Sequence, residues 1–428
     1  MRQFFQASLL SALCSFTAQA WSFDALSYYK HLHENPELSF QEEQTAATLA
    51  KTFMDAGFTV TTGVGGHGVV ALLRNGEGPT LMIRADMDGL PVEEDTGLAY
   101  ASTVQATELN GQAVSVMHAC GHDVHMTVVT SAALELLARR DEWQGTLMVI
   151  MQPAEERGAG ARDMLADGLF ERFPQPDYNL SVHTIATLPA GKIGYISGWM
   201  MANVDSVDIT LHGVGGHGAY PHTAKDPVVL AAAVIMDLQT LVSREIHPAE
   251  PGVVTVGSVH AGTKHNIISD KATLQLTVRS YSDEVRDTLL TGIERIAVKQ
   301  AEAMGFPEDK KPDVTVLQEY TPALWNDPAL VTRGVAAMRA ELGDDALVEI
   351  PKEMGGEDFS RYGRTDAKIP SFMIRVGTVP EPLWNAVSRG EGRLPSLHSA
   401  FFAPDPVPTL DTGRRAITAM VLDLMTSP

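Results

Sequence analysis

The sequence predicts an α/β protein in which a doubly wound, mostly parallel sheet domain is interrupted by a smaller α+β domain, and three observations carry this. Through residues 21–197, short and continuously apolar runs, suited to strands buried on both faces, alternate with helical stretches. From 198 to 310 the strand candidates instead alternate apolar with polar residues, as antiparallel strands with one covered face do. From 311 to 428 the first pattern returns, so the middle segment is an insertion. A chain of 428 residues is long enough for two domains, and its 44% hydrophobic and 20% charged content is that of a soluble globular protein.

Residues 1–20 carry Arg2, an apolar run from Ala7 to Phe16 and then Ala18-Gln19-Ala20, the pattern of a secretory signal cleaved before Trp21. The run is too short to span a bilayer, so an exported chain with no membrane anchor is expected. Cleavage would remove Cys14 and leave Cys120 alone in an oxidising compartment, with no intramolecular disulfide to form. A bare thiol is an oxidation liability there; a metal-bound thiolate is protected. Without Arg2 the chain has 31 basic residues against 53 acidic ones, a balance of −22 that repels nucleic-acid phosphates and anionic membranes.

In chain order, 24–35 and 39–56 read as helices, the second stopped by Gly57. Strands are predicted at 69–73 and 80–84, and the latter delivers Asp86 and Asp88 into a turn, where Asp86 reads either as support for a metal cluster or as a turn-former. The stretch Met-His-Ala-Cys-Gly-His-Asp-Val-His-Met at 117–126 concentrates metal-ligand types, and the glycine between Cys120 and His122 lets both side chains turn toward one ion. It feeds a predicted helix at 127–140, whose N-terminal dipole would favour a thiolate. The buried-type strand 145–151 ends in Gln-Pro-Ala-Glu155-Glu156. Adjacent side chains leave such a turn in different directions, so one glutamate can bind metal while the other faces water. Strand 178–184 carries His183, a ligand or a core histidine.

In the insertion, strands at 204–211, 252–259 and 272–280 accompany amphipathic helices at 227–244 and 283–304. His217, Asn266 and Arg279 stand out, and Arg279 lies on the strand face opposite Leu274, Leu276 and Val278, as either a surface charge or a functional one. The remainder predicts a strand at 314–317 in the first domain, a helix at 328–342, a Met-Gly-Gly-Glu-Asp-Phe turn at 354–359, a strand at 370–376 and a closing helix at 409–425, with His398 in the loop before it.

Taken together, the 117–123 and 152–156 motifs, the insertion with His217, Asn266 and Arg279, the 354–359 turn and His398 resemble the aminoacylase/carboxypeptidase-G metallopeptidase family. They are most similar to its amidohydrolase branch of hippurate and auxin-conjugate hydrolases. Where other branches carry His-x-Asp, this chain has Arg84-Ala85-Asp86, so the first ligand must come from Cys120-Gly-His122. The resemblance implies two divalent ions, zinc or manganese with cobalt and nickel also open, held by Cys120, His122, Glu156, His183 and His398. It implies Glu155 as general base toward a metal-activated water, and Asp86 as orienting group. It further implies His217 from a partner subunit at the oxyanion, Asn266 and Arg279 on a substrate carboxylate, and the insertion as dimerisation domain. The expected activity is cleavage of N-acyl or N-aroyl amino acids. A dipeptidase or exopeptidase is the enzymatic alternative, and a non-catalytic binding protein the alternative of another class.

Overall fold

The computed structural model describes residues 23–426, so the signal-peptide reading lies outside the described residues. The first helix, Ala25–Glu34, begins where expected because Asp24 accepts a hydrogen bond from Ser27 N at 3.1 Å. The second, Glu43–Asp55, starts later than residue 39. Phe40 takes a φ of 67°, a left-handed backbone that an α-helix cannot accommodate, and the segment before Glu43 is a turn.

The large sheet runs, edge to edge, Thr59–Val64, Gly68–Asn75, Gly145–Gln152, Thr80–Asp86, Tyr178–Pro189, Ser371–Val379, Ile193–Tyr195 and Leu347–Glu349. Its centre, from Gly145–Gln152 to Ser371–Val379, is parallel, while the Thr59–Val64 edge is antiparallel. Side chains alternate between two cores, as the two-residue strand period requires. Val69, Ala71 and Leu73 join the cluster under the helices His122–Ala138 and Pro406–Met425, whereas Val70 and Leu72 join Met164, Phe359 and Tyr362 on the other face. Burial on both faces explains why strands such as Gly68–Asn75 and Gly145–Gln152 read as largely apolar runs.

The inserted sheet is antiparallel, in the order Gly252–Ala261, Lys271–Ser280, Asn203–His212 and Asp313–Val316. The helices Pro227–Thr240 and Asp283–Ala303 cover one face, burying Leu230, Val234, Leu289 and Ile293 against Ile209, Leu274 and Leu276. One expectation is corrected. The strand at 314–317, assigned to the returning first domain, pairs with Val207–Thr210 inside the inserted sheet, so the boundary at 310/311 falls one strand early. Asp313–Val316 is an exposed edge strand whose alternation matches the insertion rather than the buried strands. Gly198–Met201 and Leu324–Asn326 pair where the chain leaves and re-enters the large domain.

The stretch Pro227–Glu245 is apolar and long enough to cross a membrane by length and composition alone. Its inner residues are nevertheless built into the core of the insertion.

Candidate active site

The site forms at the carboxyl ends of the central parallel strands, where α/β sheets gather functional loops. The turn after Met117 is closed by Gly121, whose φ of 80° lies in the left-handed region. A Cβ there would also sit 2.7 Å from Thr184 Cγ2, so glycine is required twice over. The helix begins at His122 rather than 127, which puts His122 and His125 in its first turn and Cys120 just before it.

Two groups of potential ligands meet at one sulfur. Cys120 Sγ lies 3.6 Å from His183 Nε2 and 3.3 Å from His398 Nε2, while His398 Nε2 lies 3.4 Å from Glu156 Oε1. Cys120, His122 and His183 have ligand atoms close enough to hold one ion, and so do Cys120, Glu156 and His398. The donor set fits such ions. Buried His122 has both ring nitrogens without a hydrogen-bond partner, although Nδ1 is 3.3 Å from Asp88 Oδ1, and Glu156 Oε1 is likewise unpartnered. Burial works against a charged His122, yet Asp86, Asp88 and Glu156 together raise its pKa to about 10, so the cavity favours a cation. His183 is held neutral, as a ligand must be, first by burial and then by Arg375.

The expectation that the helix terminus favours a thiolate is corrected. Burial, then Glu156, Glu155 and Asp86, push the Cys120 thiol well above its usual range. With no ion bound the thiol is therefore favoured, and a bound cation would drive its ionisation.

Of the three clustered histidines, His122 belongs to a ligand group at the sulfur, whereas His118 belongs to no such group. His125 is committed on both sides, with Nδ1 2.6 Å from Asp86 Oδ1 and Nε2 accepting from Thr184 N at 2.8 Å. His118 is buried without a partner and pushed down to about 4, chiefly by burial. Asp86 is a buried anchor rather than a solvent turn. It sits 3.7 Å from His122 Nε2 and accepts from Arg84 Nη1 at 2.8 Å. Burial alone would raise its pKa, but His122, His125 and Arg84 hold it well below the usual carboxylate range.

Several participants escaped sequence reasoning. Asp88 accepts hydrogen bonds from the backbone N–H groups of both Glu155 (3.1 Å) and Glu156 (3.0 Å), which sets the directions in which the two side chains leave. Fully buried Arg84 also bridges to Glu357 and Asp358, each at 3.0 Å, giving the 354–359 turn its purpose. Arg375 Nη1 lies 2.6 Å from His183 Nδ1. A charged residue inside an apolar strand was the available signal for Arg84 and Arg375. Glu155, its side chain 10% exposed, is pushed well above the usual range by burial, then by Glu357, Glu156 and Asp358, so it readily holds a proton.

Arg279 is half-buried and lines a cleft of about 340 Å³ with Glu155, Glu156 and His398; it donates to Met354 O at 2.9 Å and has no carboxylate partner among the described residues. His217 and Asn266 are elsewhere, exposed on the small ribbon that pairs Gly216–His217 with Ile267–Ile268. The pairing of Asn266 with Arg279 in one chain is therefore corrected. Asn266 precedes the strand at Lys271, and Lys271 to Arg279 alone spans about 26 Å at the usual rise per residue.

A Cys/His/Glu ligand set, a second carboxylate beside it and an α/β sheet carrying an inserted domain define a metal-dependent amidohydrolase. A profile of Peptidase family M20/M25/M40 matches residues 82–388. The chain is 35% identical over 387 residues to N-acetylcysteine deacetylase of Bacillus subtilis, covering 90% of this chain and 96% of that one. It is 34% identical over 353 residues to thermostable carboxypeptidase 2 of Saccharolobus solfataricus, covering 82% and 84%. The crystal structure of the YXEP protein of Bacillus subtilis, described as a dinuclear metal-binding peptidase of the M20 family, superposes with a TM-score of 0.75 at 29% identity, covering 94% of this chain and 97% of that one. The chain belongs to the M20/M25/M40 peptidase family.

Proposed function

We propose that this protein hydrolyses the amide bond of N-acyl or N-aroyl amino acids, releasing a carboxylic acid and a free amino acid. The observation that carries the reading is the single sulfur shared by two ligand groups, with Glu155 beside them and Arg279, which has no acidic partner among the described residues, lining the same cleft. Cys120, His122, Glu156, His183 and His398 would hold two divalent ions, and a thiolate, imidazole and carboxylate set admits zinc, manganese, cobalt or nickel. When bound, such ions lower the pKa of water and polarise a carbonyl. Glu155 takes a proton from the attacking water and delivers it to the amide nitrogen as the C–N bond breaks. Asp86 fixes His125 and steadies the wall behind His122. The named deacetylase and the dinuclear M20 structure support this reading. A screen of N-acyl amino acids against the metal-reconstituted protein tests it, and no turnover of any would end it. The named carboxypeptidase favours a second, peptidase reading, which a preference for free-amine peptides over N-acylated substrates would establish. A purely binding role is disfavoured because binding needs no general base beside the ligands.

Arg279 meets the substrate carboxylate, since a guanidinium without an acidic partner at the mouth of the site can make paired charged hydrogen bonds to one. Arg279→Ala should raise KM for an N-acyl amino acid about tenfold or more and leave its amide analogue nearly unchanged; equal losses on both would remove Arg279 from carboxylate recognition. His217 and Asn266 serve a partner's site. Val228, Val229, Met236, Val259 and Ile267 are all exposed apolar residues on the insertion, which supports pairing through it. His217 Nδ1 accepts from its own Ala219 N at 3.0 Å, leaving Nε2 to donate outward to an oxyanion. Mixed after subunit exchange, inactive His217→Ala and Glu155→Gln proteins should regain activity, because one site of the mixed dimer is complete; no recovery would return His217 to its own chain. Export completes the proposal: the mature protein should begin at Trp21, and N-terminal sequencing of a secreted product starting elsewhere would sink it.

A further inference from the structure

A second, larger cleft of about 510 Å³ adjoins the site, and the two clefts share a wall made by Glu156 and Arg157. We infer that the larger cleft takes the acyl group of the substrate, that it selects bulky apolar acyl groups over acetyl, and that Phe40 and Leu109 are the selecting residues. This rests on the amidohydrolase reading and deepens it.

The placement follows from the geometry of an extended substrate. With its carboxylate on Arg279 in the smaller cleft and its amide at Glu155, the chain beyond the carbonyl continues past Glu156 into the neighbouring space. Leu38, Phe40, Leu90 and Leu109 give that space an apolar part of its lining. Its volume lies in the range that holds a ligand of many heavy atoms, far more than two carbons need.

The cleft is built rather than incidental. Ser39 Oγ donates to Asp88 Oδ2 at 2.6 Å, so the 38–41 turn is tied to the same carboxylate that orients Glu155 and Glu156. Leu38 bridges to Gly89, directly after that carboxylate. Gln41 Nε2 donates to Thr107 O at 3.0 Å, linking the turn to the hairpin Gln105–Thr107/Ala113–Ser115, whose loop presents Leu109. Phe40 holds its left-handed backbone at a steric cost to present a 38% exposed ring, and Leu109 is 73% exposed. Apolar side chains held outward at the rim of a catalytic cleft are suited to gripping an apolar ligand.

The experiment compares kcat/KM of the metal-loaded enzyme for N-acetyl, N-hexanoyl, N-octanoyl and N-benzoyl derivatives of one amino acid. A buried methylene favours binding up to about fourfold, so the octanoyl or benzoyl substrate should exceed acetyl by about tenfold or more even in a half-open cleft. Phe40→Gly keeps the left-handed backbone, and Leu109→Ser changes an exposed loop residue, so neither threatens folding. The double variant should shrink the preference to within about threefold. Equilibrium binding of N-octanoyl against N-acetyl glycine to the metal-free protein, by calorimetry, should show the same ranking and its loss in the variant. Acetyl hydrolysed as well as octanoyl and benzoyl, or a preference that survives both substitutions, overturns the acyl-cleft assignment and leaves the amidohydrolase reading standing. No hydrolysis of any member of the series overturns both.

Discussion

Glu155→Gln is expected to keep the bound metal and lower kcat by about 10²-fold or more, the scale of a lost general base. Glutamine matches glutamate in shape and still allows the backbone N–H to donate to Asp88. It cannot accept a proton from water and pass it to nitrogen, which is the task that burial and the neighbouring carboxylates prepare Glu155 for. Glu156→Gln should differ in kind. Its Oε1 sits 3.4 Å from His398 Nε2, within a ligand group, so the amide should cost metal before it costs chemistry. Steady-state kinetics paired with elemental analysis separate the two. If the variants lose metal and rate in parallel, the division of roles between adjacent glutamates is wrong.

Cys120→Ala should remove at least one of the two ions and abolish activity with the fold intact. Its sulfur is the atom common to both ligand groups, so no neighbouring donor replaces it. Elemental analysis of the purified variant decides the point, and unchanged metal content would strike Cys120 from the ligand set. The same site sets a sign for pH. Without an ion the His122 pKa is raised to about 10 and the Cys120 thiol is held protonated, so each must give up a proton when metal binds. Affinity for the ion should therefore strengthen as pH rises through neutrality and weaken in acid, and a competition titration with a chelator whose own protonation is accounted for would expose the opposite trend.

Much of the large domain was legible because burial on both faces leaves a simple trace. The strand candidates at 69–73, 80–84, 145–151 and 178–184 all became strands of one sheet, extended at one or both ends. The ligand set Cys120, His122, Glu156, His183 and His398 came from the family resemblance, and the fold brings those residues into groups that could hold an ion. Boundaries were less legible. Gly121 started a helix five residues before the apolar periodicity did, and the edge strand Asp313–Val316 joined the insertion because partner choice depends on an edge that no local pattern records.

What the sequence alone determined was therefore periodic or compositional: the sheet class, the interruption by an antiparallel unit, and the inventory of donors. Tertiary structure decided which donors are free. It committed both nitrogens of His125 to Asp86 and Thr184, buried Arg84 among Asp86, Glu357 and Asp358, and set Arg279 and Asn266 at different places in the chain. The reason is physical. Periodicity reports on neighbours along one element, whereas desolvation, charge pairing and hydrogen-bond satisfaction depend on residues brought together from hundreds of positions apart, as Arg84 and Asp358 are.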